Sequence, residues 1–216
     1  YRVILVDLRN HGHSPWSDAF SYALMVEDLK SLFDALNLTD VILLGHSMGG
    51  KVAMHFAQKY EDRLNKLIVV DMGVKSYPLH HEHILKAFHE IDLSKLSARS
   101  EAEAILKQFI DSDGVRQFLL KNLYWMEKGK LSWRVNFPVL EREMSEILSS
   151  LPEKEVLTST LFIRGELSNY ILDSDIPILE SYFPDSQLIS VENAGHWVHA
   201  EAPEAFVDAV LGFCLR

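Results

Sequence analysis

The sequence predicts an α/β fold with a mostly parallel sheet covered by helices on both faces, and three observations carry that expectation. Short apolar runs recur at Val3-Ile4-Leu5-Val6, Val41-Ile42-Leu43-Leu44, Leu67-Ile68-Val69-Val70, Thr160-Leu161-Phe162-Ile163 and Gln187-Leu188-Ile189-Ser190-Val191, and they suit strands buried on both faces. Stretches with helical apolar spacing alternate with them, as strand-helix-strand crossovers require. Gly45-His46-Ser47-Met48-Gly49-Gly50 then joins one strand to a helix within a single residue.

Taken in order, the run at Val3 to Val6 ends at Asp7 and a polar loop through Arg9-Asn10-His11-Gly12-His13-Ser14-Pro15. Ser21 starts a helix. Its apolar face is Met25, Leu29, Leu32, Phe33 and Leu36, with Glu27, Asp28, Lys30 and Asp34 on the other side. The strand at Val41 leads through the glycine-rich turn to a helix over 51–60, and the strand at Leu67 closes at Asp71 and Gly73. Over 74–155 the pattern changes to amphipathic helical stretches, such as 102–110 and 115–125, with no strand among them. Gly129, Pro138 and Pro152 punctuate this stretch. We therefore divide the chain into an α/β core, 1–73 and 156–216, and a helical lid insertion, 74–155. The insertion's aromatics (Phe88, Phe109, Phe118, Tyr124, Trp125, Trp133, Phe137) either line a substrate cleft or form its own core. Strands return at Thr160 and Gln187, and 203–215 makes a final helix with Pro203 in its first turn.

The 216 residues suffice for one sizeable core, with roughly 70% of the unfolded chain's surface buried. A net charge of −10 argues against nucleic acid as a partner, because no basic stripe exists to displace counterions from phosphate. There is no apolar run near the ~18 residues of a membrane span, so no membrane partner is expected. Cys214 is the single cysteine, so no internal disulfide can form. A reducing, cytoplasmic location fits, and nothing in the sequence reads out an oligomeric state.

The glycine-rich turn has the form of a nucleophile elbow, in which a strand bends into a helix and presents a serine hydroxyl. Neighbouring backbone passes close by, which calls for small residues, here Gly45 and Gly49 on either side of Ser47. A serine hydroxyl needs a base. His196, in Asn193-Ala194-Gly195-His196-Trp197 after the last strand, is the candidate, and His199 is a packing neighbour. An acid must hold the imidazole's tautomer. The position just past Gly165 holds Ser168 and Asn169, neither of which carries charge, so Asp71 at the end of the following strand is favoured. Glu166, Asp173 and Asp175 remain alternatives. The backbone N–H of Met48 begins the helix and supplies one oxyanion donor. No cofactor is needed. Nor is a metal: Pro78-Leu79-His80-His81-Glu82-His83 lacks the H-E-x-x-H spacing that puts two ligands on one helical face, and His11 and His13 are read as loop polar groups.

Asp7-Leu8-Arg9-Asn10-His11-Gly12-His13-Ser14, Gly45-His46-Ser47-Met48-Gly49-Gly50-Lys51 and Asn193-Ala194-Gly195-His196-Trp197 together resemble the α/β-hydrolase superfamily, specifically its esterase YbfF and abhydrolase-domain-11 group. The resemblance spans essentially the whole chain. It implies the α/β-hydrolase fold, a Ser-His-Asp triad and hydrolysis of small-molecule carboxylic ester or acyl thioester substrates. Members of the group often place the acid after the strand following the elbow, in agreement with Asp71. They also begin with further strands, a helix and a His-Gly loop that supplies a second oxyanion donor. Those N-terminal strands are absent from this chain, and one of them would lie between the strands at Val3 and Val41. A sheet without it would show unpaired edges, so the expectation is a piece of a longer polypeptide. The same machinery could instead serve a carbon–carbon bond or a lyase reaction, and loss of activity would leave a binding protein of the same fold.

Overall fold

The computed structural model describes residues 1–79 and 82–216. In chain order the elements are α1 (Tyr22–Ala35), β1 (Val41–His46), α2 (Met48–Tyr60), β2 (Leu64–Val70), α3 (Glu82–Glu90), α4 (Arg99–Leu106), α5 (Asp113–Leu120), β3 (Leu123–Glu127), β4 (Lys130–Trp133), α6 (Phe137–Arg142), α7 (Met144–Ile147), β5 (Thr160–Gly165), α8 (Ile176–Tyr182), β6 (Ser186–Val191), α9 (Val198–Glu201) and α10 (Pro203–Cys214). They fall into two compact units, Ser21–Tyr77 with Ser149–Arg216, and Tyr1–Phe20 with Pro78–Leu148.

The first of these units is built on a four-stranded sheet in the order β1-β2-β5-β6, every neighbouring pair parallel. Its middle strands are apolar on both faces because both faces are covered. Leu67 and Val69 of β2 and Phe162 of β5 pack with Ala53, Met54 and Ala57 of α2 and Leu179 of α8. Ile68, Val70, Leu161 and Ile163 point the other way, onto Val198 of α9 and Phe213 of α10. That alternation is the two-residue period of a pleated strand. α1 buries Tyr22, Met25, Val26, Leu29 and Phe33 at helical spacing, and its N-cap Ser21 accepts a hydrogen bond from the Leu24 N–H at 3.2 Å. Phe33 meets Phe56 of α2 with ring centroids 4.7 Å apart.

The sheet lacks one strand that the sequence suggested. Residues Val3 to Val6 form no ladder, and Leu5 is 92% exposed. An apolar run becomes a strand only where a neighbour takes its N–H and C=O groups, and no described strand pairs with it.

The other unit also corrects the sequence expectation. The 115–125 stretch is helical only to Leu120; β3 then pairs with β4 as an antiparallel hairpin around Gly129, which has φ +82°. The break falls at Asn122, whose carbonyl accepts from the Arg134 N–H at 2.6 Å across the hairpin. Residues 1–20 group here and not with the sheet. The Gly12 N–H donates to Arg134 O at 2.7 Å, and buried Asn10 accepts from both the backbone N–H and side-chain amide of Asn136, at 2.9 and 3.0 Å. The Asp7 to Ser14 motif is a compact loop, with the Asp7 carboxylate accepting from the His13 N–H at 2.9 Å. Four of the aromatics pack into this unit's own core. Phe88 stacks on Phe137 at 4.6 Å and meets Trp133 at 4.8 Å, with Phe109 in the same cluster, whereas Phe118 and Trp125 are exposed.

Among the described residues no helix is long and apolar enough to cross a membrane. His80 and His81 lie outside the described residues, so the histidine-rich stretch is left at its sequence reading.

Candidate active site

β1 ends at His46, and α2 begins at Met48. Ser47 between them takes φ 54° and ψ −123°, a conformation that costs free energy for any residue with a side chain. Its own N–H donates to Val70 O at 3.0 Å, and its carbonyl accepts from the Lys51 N–H at 3.1 Å. Ser47 occupies the N-cap position of α2, where a serine ordinarily caps with its hydroxyl. This one does not: its hydroxyl makes no cap bond and lies 3.0 Å from His196 Nε2.

The glycines around the turn are not equivalent. A Cβ on Gly45 would come within 2.1 Å of Gly49 O and 2.7 Å of Gly50 N, so the strand and helix pass too closely for a side chain. A Cβ on Gly49 would meet nothing within 4 Å, and at Gly50 the nearest atom is Val69 Cγ1 at 3.1 Å. The close approach expected at Gly45 is present and Gly50 is tightly packed, whereas Gly49, where a close approach was also expected, has open space. Gly45→Ala is therefore expected to destabilise by about 1–3 kcal/mol or more, and Gly49→Ala to be neutral or stabilising by up to about 1 kcal/mol. Equilibrium denaturation in urea checks both.

His196 is held in its loop by close backbone packing. A Cβ on Gly165 would lie 2.1 Å from Gly195 O, so the end of β5 lies directly against the residue before His196. The Glu201 carboxylate accepts from the Gly195 N–H at 2.6 Å and the Trp197 N–H at 3.2 Å, bracketing His196. His196 Nδ1 lies 2.8 Å from Asp71 Oδ2. Since an ionised carboxylate only accepts, Nδ1 carries the proton and Nε2 offers its lone pair to the Ser47 hydroxyl. One ring bridges acid and serine.

Asp71 is fully buried at the end of β2, with φ 48°. A buried carboxylate must be hydrogen-bonded, and three donors serve it. Besides His196, the Gly165 N–H donates to Oδ1 at 3.2 Å and the Ser168 hydroxyl donates to Oδ2. The other acidic candidates are engaged elsewhere. Glu166 accepts from the Asn193 N–H at 3.0 Å, Asp173 pairs with Arg164 at 2.6 Å, and Asp175 pairs with Lys75. Met48, as the first residue of α2, has no carbonyl within the helix for its N–H.

Three residues of this site escaped the sequence reading. Ser168 was set aside for lacking charge, although a hydroxyl can complete a carboxylate's shell. His46 adjoins the serine and was assigned nothing. Lys51, read only as the residue that opens the helix, is fully buried, and its ammonium donates to Lys75 O at 2.8 Å, Ser149 O at 2.6 Å and Val74 O at 3.4 Å. Burial lowers the Lys51 pKa to about 8. In the unfolded chain the same group titrates near ~10.4. Between those values the unfolded state binds the extra proton, so stability rises with pH across that window. Lys51→Met should remove this dependence. The check is the wild-type minus variant difference in unfolding free energy, expected to shift toward the wild type from pH 7 to pH 9.5.

The sequence profile of the alpha/beta hydrolase family matches residues 1–209. The chain is 37% identical to the mouse (Mus musculus) protein named sn-1-specific diacylglycerol lipase ABHD11, over 98% of this chain and 71% of that one. It is 35% identical to Esterase YbfF of Escherichia coli (strain K12), over 97% of this chain and 81% of the relative. A solved structure described as a marine microorganism esterase superposes with a TM-score of 0.91 at 40% identity, covering 96% of this chain and 82% of its own.

Proposed function

Because the chain belongs to the alpha/beta hydrolase family and is a hydrolase of the esterase and lipase type, we propose that it cleaves small carboxylic esters or acyl thioesters with Ser47 as nucleophile, His196 as base and Asp71 as acid. The observation that carries this reading is the unbroken hydrogen-bond run from buried Asp71 through His196 to Ser47, at 2.8 and 3.0 Å.

Ser47 Oγ attacks the acyl carbon as His196 Nε2 takes its proton. The carbonyl oxygen becomes an oxyanion, and the Met48 N–H at the positive end of α2 donates to it. Collapse of the tetrahedral intermediate expels the alkoxide or thiolate, which receives the proton from His196. Water then adds to the acyl-enzyme with His196 again as base, and the acid departs. Asp71 stays ionised throughout and offsets the imidazolium charge. The chemistry calls for no cofactor, and the partner is a small acyl substrate. With one cysteine and an acidic surface, the cytoplasm is the compartment we assign.

A fluorophosphonate probe followed by peptide mass mapping tests the assignment. We expect a single adduct on Ser47, with turnover of short-chain p-nitrophenyl esters or acyl thioesters blocked in proportion. Absence of labelling in active-fold protein, or turnover confined to substrates cleaved at a carbon–carbon bond, would overturn it.

A further inference from the structure

His46 precedes the serine, and its side chain reaches across to the base rather than into the sheet. Its Nε2–H donates to the backbone carbonyl of His196 at 2.8 Å. The two imidazole rings lie 4.7 Å apart, and the same His46 ring contacts Trp197 at 5.2 Å and His199 at 4.9 Å. Tyr170 stacks on the His196 ring, with centroids 4.1 Å apart and planes 21° from parallel. The Tyr77 hydroxyl donates in turn to Tyr170 O at 2.9 Å while accepting from the Gly73 N–H at 2.8 Å. The His196 ring is thus set by aromatic walls and by Asp71, but its main chain is joined to the nucleophile's own strand through His46.

We propose that His46 is a positioning residue that latches the His196 loop to the elbow, so that the distance from Nε2 to Ser47 Oγ is set by a side chain adjacent to the serine itself. The inference rests on the reading of Ser47 and His196 given above. Burial, with the neighbouring His196 next in effect, holds the His46 pKa down to about 4, so the ring is neutral at working pH. A neutral imidazole has one N–H, and a carbonyl acceptor fixes it on Nε2. A cation here would stand against the imidazolium that forms on His196 during turnover; a neutral donor holds the loop without opposing that charge. The latch also explains why position 46 carries a long polar side chain at the end of an otherwise apolar strand.

The test compares His46→Gln, His46→Asn and His46→Phe in the full chain. The Gln amide nitrogen is separated from the backbone by the same number of bonds as His Nε2, the Asn nitrogen by one fewer, and Phe keeps a ring without a donor. A misplacement of about 1 Å costs on the order of 10²-fold in rate. We expect His46→Phe and His46→Asn to lose about 10- to 100-fold in kcat per probe-titrated active site, with KM for a small ester little changed, and His46→Gln to recover most of the loss. Counting sites with the probe separates this from misfolding, which lowers the number of titratable sites and leaves turnover per site unaltered. Wild-type turnover per site in the Phe variant, or equal rates in the Asn and Gln variants, would overturn the latch. Should the Phe variant not fold, the Asn and Gln pair decides alone. Failure of the wild type to react with the probe would instead count against the function assigned to Ser47.

Discussion

Replacing Ser47 with alanine is expected to lower kcat/KM for ester hydrolysis by about 10⁶-fold, the largest effect of any single substitution in this chain. In the proposed mechanism the hydroxyl is the atom that forms the bond to the acyl carbon, and no neighbour can take its place at the turn. KM should change little, since one hydroxyl is a small part of what an acyl substrate touches. The residual rate reports what the Met48 N–H and substrate orientation contribute without covalent chemistry. Stability is expected to stay close to that of the wild type, because the Ser47 side chain makes no cap bond to α2 that would be lost. Initial rates at enzyme concentrations high enough to see a 10⁶-fold loss, with a denaturant curve for each protein, check both statements. A loss of less than about 10³-fold would mean that the bond-forming atom lies elsewhere.

Asp71→Asn should cost about 10⁴-fold in kcat while leaving the geometry intact. An amide turned toward His196 donates where the carboxylate accepted, which drives the imidazole proton to Nε2 and leaves Ser47 facing a donor. The structure adds a sharper expectation. Ser168 Oγ bonds to Asp71 Oδ2, the same oxygen that faces His196 Nδ1. We therefore expect a carboxylate placed at position 168 to reach that corner of the imidazole. Ser168→Asp combined with Asp71→Asn is expected to regain part of the roughly 10⁴-fold lost in Asp71→Asn alone. Ser168→Asp in the wild-type background should be slower than wild type, because a second carboxylate in contact with fully buried Asp71 opposes its ionisation. Steady-state kinetics of the four proteins gives the answer; a double variant no faster than Asp71→Asn would show that the Ser168 backbone cannot present an acid to His196.

What could be seen in the sequence was whatever short-range chemistry encodes. The apolar runs at Leu67 and Thr160 needed no partner to be recognised, because residues buried on both faces leave an uninterrupted apolar run. α1 was equally plain, with its capping serine and its spacing of Met25, Leu29 and Phe33. The elbow announced itself because two glycines and a serine between a strand and a helix serve few other purposes. Where the local pattern was ambiguous the expectation slipped. The stretch at Leu123 carries apolar residues that satisfy either period, and the pairing of β3 with β4 settled it as a strand. The run at Val3 to Val6 looked like β2 but forms no ladder, since apolar character alone supplies no hydrogen-bonding neighbour.

By itself, then, the order of residues determined the strand-helix alternation, the bend at Ser47 and the candidate identities of nucleophile, base and acid, all of which follow from sterics and side-chain chemistry acting over a few residues. Only the tertiary structure decided that Asp71 and not Glu166, Asp173 or Asp175 meets His196, that Ser168 and His46 join the cluster, and that Lys51 is buried. The contacts of His196 with Asp71 and Ser47 span 125 and 149 residues of chain. Such distances are set by the order of parallel strands and the close backbone passage of Gly165 against Gly195, neither of which any local pattern contains.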